Sequence, residues 1–200
     1  MEVSGYPHYE NVTSNMLAFL FDPDEEHELR DLMLRAFLRM AGHADIAEIG
    51  SVRIVREECT DSGNRIDLLI DAETFTICIE NKIFAATNND LGDYAKHLRR
   101  YSANKSVVVK ALLGVKPYDE GQLGAGFRGF TYPQFWRHVR SLLGEYSASA
   151  DPKGTFRDSS NALCGPRNIW HSKRLIVVEE KLNARLFPRF TGCSLSRREP

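Results

Sequence analysis

Three charged residues stand inside two apolar runs. Arg65 to Ile83 reads RIDLLIDAETFTICIENKI, with Asp67 in the first run and Glu80 and Lys82 in the second. An ionised side chain in such a setting costs several kcal/mol unless it is paired or ligates a metal. Two carboxylates on neighbouring strands suit a hard cation such as Mg²⁺, with Mn²⁺ as a substitute, which takes oxygen ligands at about 2.1 Å. Such an ion acidifies its water and stabilises charge on a phosphate. A lysine beside it can orient or deprotonate the attacking water, or neutralise the phosphate. The chemistry suggested is phosphodiester hydrolysis. The same spacing also describes an ion-paired patch on an antiparallel sheet.

For that chemistry the three side chains must share a face. Arg65 to Ile70 and Thr74 to Ile83 read as strands joined through Asp71-Ala72-Glu73 in a hairpin. A turn centred between Ala72 and Glu73 sets Ile70 against Phe75 and Asp67 against Cys78. Asp67, Cys78, Glu80 and Lys82 then project to one side, with Asp67 diagonal to Glu80. Ile77, Ile79 and Ile83 face the opposite way, into a core.

Other elements must hold this hairpin. A helix is expected over Ser14 to Phe21, ended by Asp22-Pro23, and a second over His27 to Met40, stopped by Gly42. Ser51 to Glu58 alternates like a strand with one wet face. Ala86 to Asp90 is turn-like and caps a helix running to Tyr101. Lys105 to Leu113 is an apolar, β-branched strand placed centrally, and Tyr132 to Leu143 is an amphipathic helix with proline in its first turn. Residues 147–168 read as a long loop, and a last helix capped by Ser172 carries the stripe Leu175, Val178, Leu182, Leu186. The order α-α-β-β-β-α-β-α implies an α/β fold, a mixed sheet with helices packed on it. The expected division is a domain over 1–146 and, packed on it, a loop and basic helical tail over 147–200.

Composition sets the frame. The chain has 200 residues, 42% hydrophobic and 26% charged, enough for a sizeable core. No run of 18 apolar residues suggests a membrane span, and MEVSGYPHYE does not read as a secretory signal. Cys59, Cys78, Cys164 and Cys193 form no CxxC pair, which argues against zinc and for a reduced, cytoplasmic chain. The net charge of −1 conceals an acidic first half and a basic second half. Such a basic half can face a polyanion.

At these motifs the chain resembles the PD-(D/E)XK nuclease superfamily, in particular a bacterial branch whose signature ends in IENKI. Arg65-Ile66-Asp67 is similar to the family's R-x-D strand and Ile79-Glu80-Asn81-Lys82-Ile83 to its E-x-K strand. Glu10, SNMLAFLFDP and His27 resemble the E…S…LAWLLDP…H pattern. The resemblance implies a restriction-endonuclease-like αβββαβ core with about four to five strands. It also implies magnesium ligation by Asp67 and Glu80, with Glu10 as a further ligand from the first helix, and Lys82 as catalytic lysine. Read by itself, Glu10 is equally an exposed acid near a helix start. The family's Q-L-x-x-Y motif is met here by His97-Leu98-Arg99-Arg100-Tyr101, with histidine in place of glutamine. His97 and Tyr101 share a helix face. His97 is either a working group that titrates near neutrality or a plain surface residue.

The function expected is a metal-dependent nuclease acting on DNA, with a place in bacterial defence or restriction. Lys96, Arg99, Arg100, Tyr101 and Lys105 are the candidates for holding the phosphate backbone, contacts that carry no sequence choice. A ribonuclease, and a non-catalytic binding or assembly module of the same fold, remain alternatives. A homo-oligomer is open.

Overall fold

The computed structural model describes residues 7–27, 29–46, 48–83, 90–119, 121 and 123–148. Along these residues the order is α1 (Pro7–Phe21), α2 (Leu32–Met40), β1 (Val52–Cys59), β2 (Arg65–Ala72), β3 (Phe75–Lys82), α3 (Leu91–Ser102), β4 (Val107–Gly114), β5 (Arg128–Thr131) and α4 (Tyr132–Ala148). The five strands form one sheet in sequence order. β1–β2 and β2–β3 are antiparallel, while β3–β4 and β4–β5 are parallel. The αβββαβ core and its mixed sheet are therefore present as expected.

The sheet separates two apolar clusters. On one side Ile70, Ile77, Ile79, Val109 and Leu113 pack against Phe21 of α1, Phe37 of α2 and Phe135 of α4. On the other, Leu69, Cys78 and Leu112 pack against Tyr94 and Leu98 of α3 and against Phe127. Strict alternation along β3 and β4 feeds both clusters, so these strands are buried on both faces. Burying a side chain of this size contributes roughly 1.5–3 kcal/mol.

Four local outcomes differ from the sequence reading. Helix α1 begins seven residues early, at Pro7, which suits proline at a helix start. Helix α2 begins late, at Leu32, because Arg30 has a φ of 50° and His27 Nδ1 takes the Leu29 amide at 2.9 Å. The β2–β3 register is shifted by two residues: Leu69 faces Cys78 and Ile70 faces Ile77, so the turn is Glu73-Thr74. A shift of two preserves the face of every side chain, where a shift of one would have reversed it. Strand β5 was not foreseen. It is four residues long and leads straight into α4, whose start is a capping box: Thr131 Oγ1 accepts the Gln134 amide at 3.3 Å, and Gln134 Oε1 accepts the Thr131 amide at 2.8 Å. The loop and helix expected over 147–200 lie outside the described residues, apart from the end of α4.

Candidate active site

Strands β2 and β3 stop pairing after Leu68 and Ile79. At the next step Asp67 replaces the ladder with its side chain, Oδ2 accepting the Asn81 amide at 2.8 Å. Opposite Asp67 on β1, Glu57 adopts a φ of 51°. The alternation changes at this level: Ile66 joins the α3-side cluster with Leu69, and Glu58 turns to meet α3. The strands thus part at the place where the charged residues stand.

Glu80 and Lys82 share the cleft. Glu80 is 1% exposed and Lys82 8%, and Lys82 Nζ lies 2.8 Å from Glu80 Oε1. Burial, and then the negative charge of Asp67, push the Glu80 carboxyl up to about 7 despite the bond from Lys82. Burial likewise raises Asp67, reinforced by Glu10 and Glu57 and opposed by the Asn81 amide and Lys82. Burial alone would lower Lys82. The bond to Glu80 and the fields of Glu80, Glu10 and Asp67 outweigh it and raise the ammonium. Lys82 is therefore a cation at neutral pH.

Glu10 is not an exposed acid. It sits on α1 with Oε1 accepting the Ile83 amide at 3.1 Å, just past the end of β3. What holds α1 there is Asn81, a residue that the sequence reading left without a role. Its side-chain amide donates to the Glu10 carbonyl and to Ser14 Oγ, both at 3.2 Å, while its Oδ1 accepts the Tyr132 hydroxyl at 2.6 Å. One buried asparagine thus ties α1 and α4 to β3, and its own amide orients Asp67. The signal for it lay in the IENKI string, where an uncharged polar residue stands between Glu80 and Lys82 at a position whose strand face, shared with Ile77 and Ile79, is otherwise apolar.

Among the described residues no group of three or more His, Cys, Asp or Glu stands in coordinating geometry. The chemistry nevertheless fits: the donors are all carboxylate oxygens, and the charge of Asp67 raises the proton affinity of Glu80, a repulsion that a divalent cation relieves. Asp67, Glu80 and Glu10 are the residues available to hold it.

The remaining candidates fall elsewhere. His97 is buried, its Nε2 3.2 Å from Glu58 Oε1, and Tyr101 donates to the same oxygen at 2.6 Å. These bonds, with Tyr101 first, hold Glu58 below the usual carboxylate range. The described partners of His97 are thus β1 and its own helix, rather than the Asp67–Glu80–Lys82 cleft, and it is not a surface residue. Lys105 is bound to the Ala72 carbonyl and to Asp71 at 3.3 Å, stapling the far end of the β2–β3 hairpin. Arg100 is exposed but paired with Asp61. Lys96 and Arg99 are exposed on α3.

Comparison with known proteins adds three findings. A family model described as the PD-(D/E)XK nuclease superfamily matches residues 2–156. No curated protein matches the chain. Among solved structures, the small subunit of the heterodimeric restriction endonuclease R.BspD6I is 15% identical, with 84% of this chain and 98% of that one covered and a TM-score of 0.32. That likeness is too loose to carry an argument.

Proposed function

Because the chain belongs to the PD-(D/E)XK nuclease superfamily, we propose that it hydrolyses phosphodiester bonds, in DNA, with Mg²⁺ or Mn²⁺ held by Asp67 and Glu80 and supported by Glu10. One observation carries the reading. A buried carboxylate, a half-buried one and a buried ammonium meet where two strands part, and each carboxylate is held at an elevated proton affinity by its burial and its neighbours. A purely structural ion pair gains nothing from a second repelling carboxylate, whereas a cation site needs one.

The residues divide the work as follows. When bound, a divalent ion supplies Lewis-acid stabilisation of the phosphate and of the attacking water. Lys82, a cation at neutral pH, neutralises charge that builds on the scissile phosphate and orients the nucleophile; its raised pKa favours this over proton abstraction. Asn81 holds Asp67 and, through α1, Glu10. Lys96 and Arg99, exposed on α3, would steer the strand by its phosphates, a sequence-independent and salt-sensitive attraction. The chain falls in the branch marked by the IENKI strand, with defence or restriction as its setting.

The test is incubation of the purified protein with plasmid, linear and single-stranded DNA and with RNA, in Mg²⁺, Mn²⁺ or EDTA. Metal-dependent cleavage of DNA that is lost in Lys82→Ala and Asp67→Ala is the expected result. Cleavage of RNA alone would reassign the substrate. Binding without cleavage in every metal would make the chain a binding module.

A further inference from the structure

Tyr118 lies over two glycines on the face of the sheet that carries Glu80 and Lys82. Glu80 stands opposite Leu112 and Lys82 opposite Gly114 in the parallel β3–β4 ladder, and Leu112 pairs in turn with Gly129 of β5. Partners across a ladder share a face, so these positions all look toward α3. A β-carbon on Gly129 would stand 2.7 Å from Tyr118 Cβ, and one on Gly114 would stand 2.3 Å from the Tyr118 hydroxyl oxygen. Neither glycine has a positive φ, so the backbone does not demand glycine at either place. What demands it is the ring.

The ring runs from Gly129 to Gly114, which brings its hydroxyl to the strand position next to Lys82. Its side chain is half-buried, packed at its base on the Leu112 cluster. The carboxylates are close enough to act on it: burial first, then Glu10 and Glu80, push the phenol up to about 12. It therefore stays a neutral donor at working pH. A site built on three carboxylates repels a phosphodiester until a cation is present, and an uncharged donor adds attraction without another buried charge.

We propose that Tyr118 belongs to the substrate-binding machinery, its hydroxyl donating a hydrogen bond to a non-bridging phosphate oxygen of the strand held at Asp67, Glu80 and Lys82. This rests on the nuclease reading. The two glycines are then specificity for a flat ring, placed so that its tip reaches the cleft.

The test uses Tyr118→Phe, which keeps the ring on its glycine bed, and Gly114→Ala, which displaces the ring's tip. Three quantities are read in the full chain: cleavage of an oligonucleotide duplex in Mg²⁺, its affinity in non-catalytic Ca²⁺, and calorimetric Mn²⁺ affinity. For Tyr118→Phe the expected result is an affinity or kcat/KM lowered about five- to ten-fold, the size of one hydrogen bond, with Mn²⁺ affinity and melting temperature unchanged. Gly114→Ala should reproduce the loss, and adding it to Tyr118→Ala should cost nothing further. Tyr118→Phe indistinguishable from wild type in both cleavage and Ca²⁺-supported affinity overturns the inference while leaving the nuclease reading intact. A wild-type protein that binds but does not cleave overturns that reading, and the affinity arm still decides Tyr118. A protein that neither binds nor cleaves overturns both.

Discussion

The Asn81 amide donates to Asp67 Oδ2 at 2.8 Å where the ladder between β2 and β3 has ended. A backbone donor that would otherwise continue the sheet is used to aim a carboxylate. The Asn81 side chain meanwhile fixes two helices, so the geometry of the cleft and the docking of α1 and α4 depend on one residue.

Asn81→Ala should be strongly destabilising. It leaves the Tyr132 hydroxyl without Oδ1, and each buried polar group so stranded costs about 1–3 kcal/mol. Chemical denaturation should show a loss on the order of 3 kcal/mol, and Tyr132→Phe a smaller one. Because Asn81 and Tyr132 are direct partners, the double variant should lose less than the sum of the two. Simple additivity would mean that the bond contributes nothing.

Neutralising a carboxylate should separate stability from metal binding. Asp67→Asn retains an oxygen for the Asn81 amide and removes the repulsion with Glu80. Its metal-free melting temperature should equal or exceed that of wild type, while Mg²⁺ no longer raises it. A marked fall in the metal-free melt would make Asp67 a structural partner of Lys82 instead.

The metal-free protein should lose stability as pH rises from about 4.5 to 7. The Glu80 carboxyl keeps its proton in the fold up to about 7, against an ordinary 4.5. In that window the folded state binds more protons than the unfolded chain, so the stability present at low pH is lost as pH passes the folded value. Asp67, also raised, acts in the same direction. The change should be on the order of 3 kcal/mol. Denaturant midpoints in EDTA at pH 5 to 8 measure it; Glu80→Gln should flatten the curve, and saturating Mg²⁺ should reverse its slope.

Glu10→Gln keeps an acceptor for the Ile83 amide, so the fold should survive with its melting temperature nearly unchanged. Mn²⁺ affinity should fall by calorimetry. An unaltered isotherm would confine Glu10 to docking α1.

His97→Gln should leave the pH profile of cleavage between about 6 and 7 as it is in the wild type, because His97 is engaged with Glu58 and Tyr101. Loss of part of that buried cluster should instead appear as about 1 kcal/mol of stability. A flattened profile would return His97 to the reaction.

The candidate site was legible in residue type and spacing. Asp67, Glu80 and Lys82 are charges in apolar strands; the two-residue period of β3 places Glu80 and Lys82 on one face, whereas Asp67 stands where the alternation of β2 breaks and is aimed by the Asn81 amide. Local signals also located most of the helices and strands, since apolar periodicity and Asp22-Pro23 act within a few residues. Other features depend on groups far apart in the chain. Strand β5 is too short to announce itself and exists by pairing with β4. Whether His97 faces the cleft or β1 turned on a left-handed Glu57 that swings Glu58 toward α3. Lys105 looked like a phosphate contact until the fold brought Ala72 and Asp71 to it. The sequence by itself determined which residues carry charge into the core. Only the tertiary structure decided which partners satisfy that charge, because a buried polar group takes whichever donor or acceptor the packing of distant elements brings within about 3 Å.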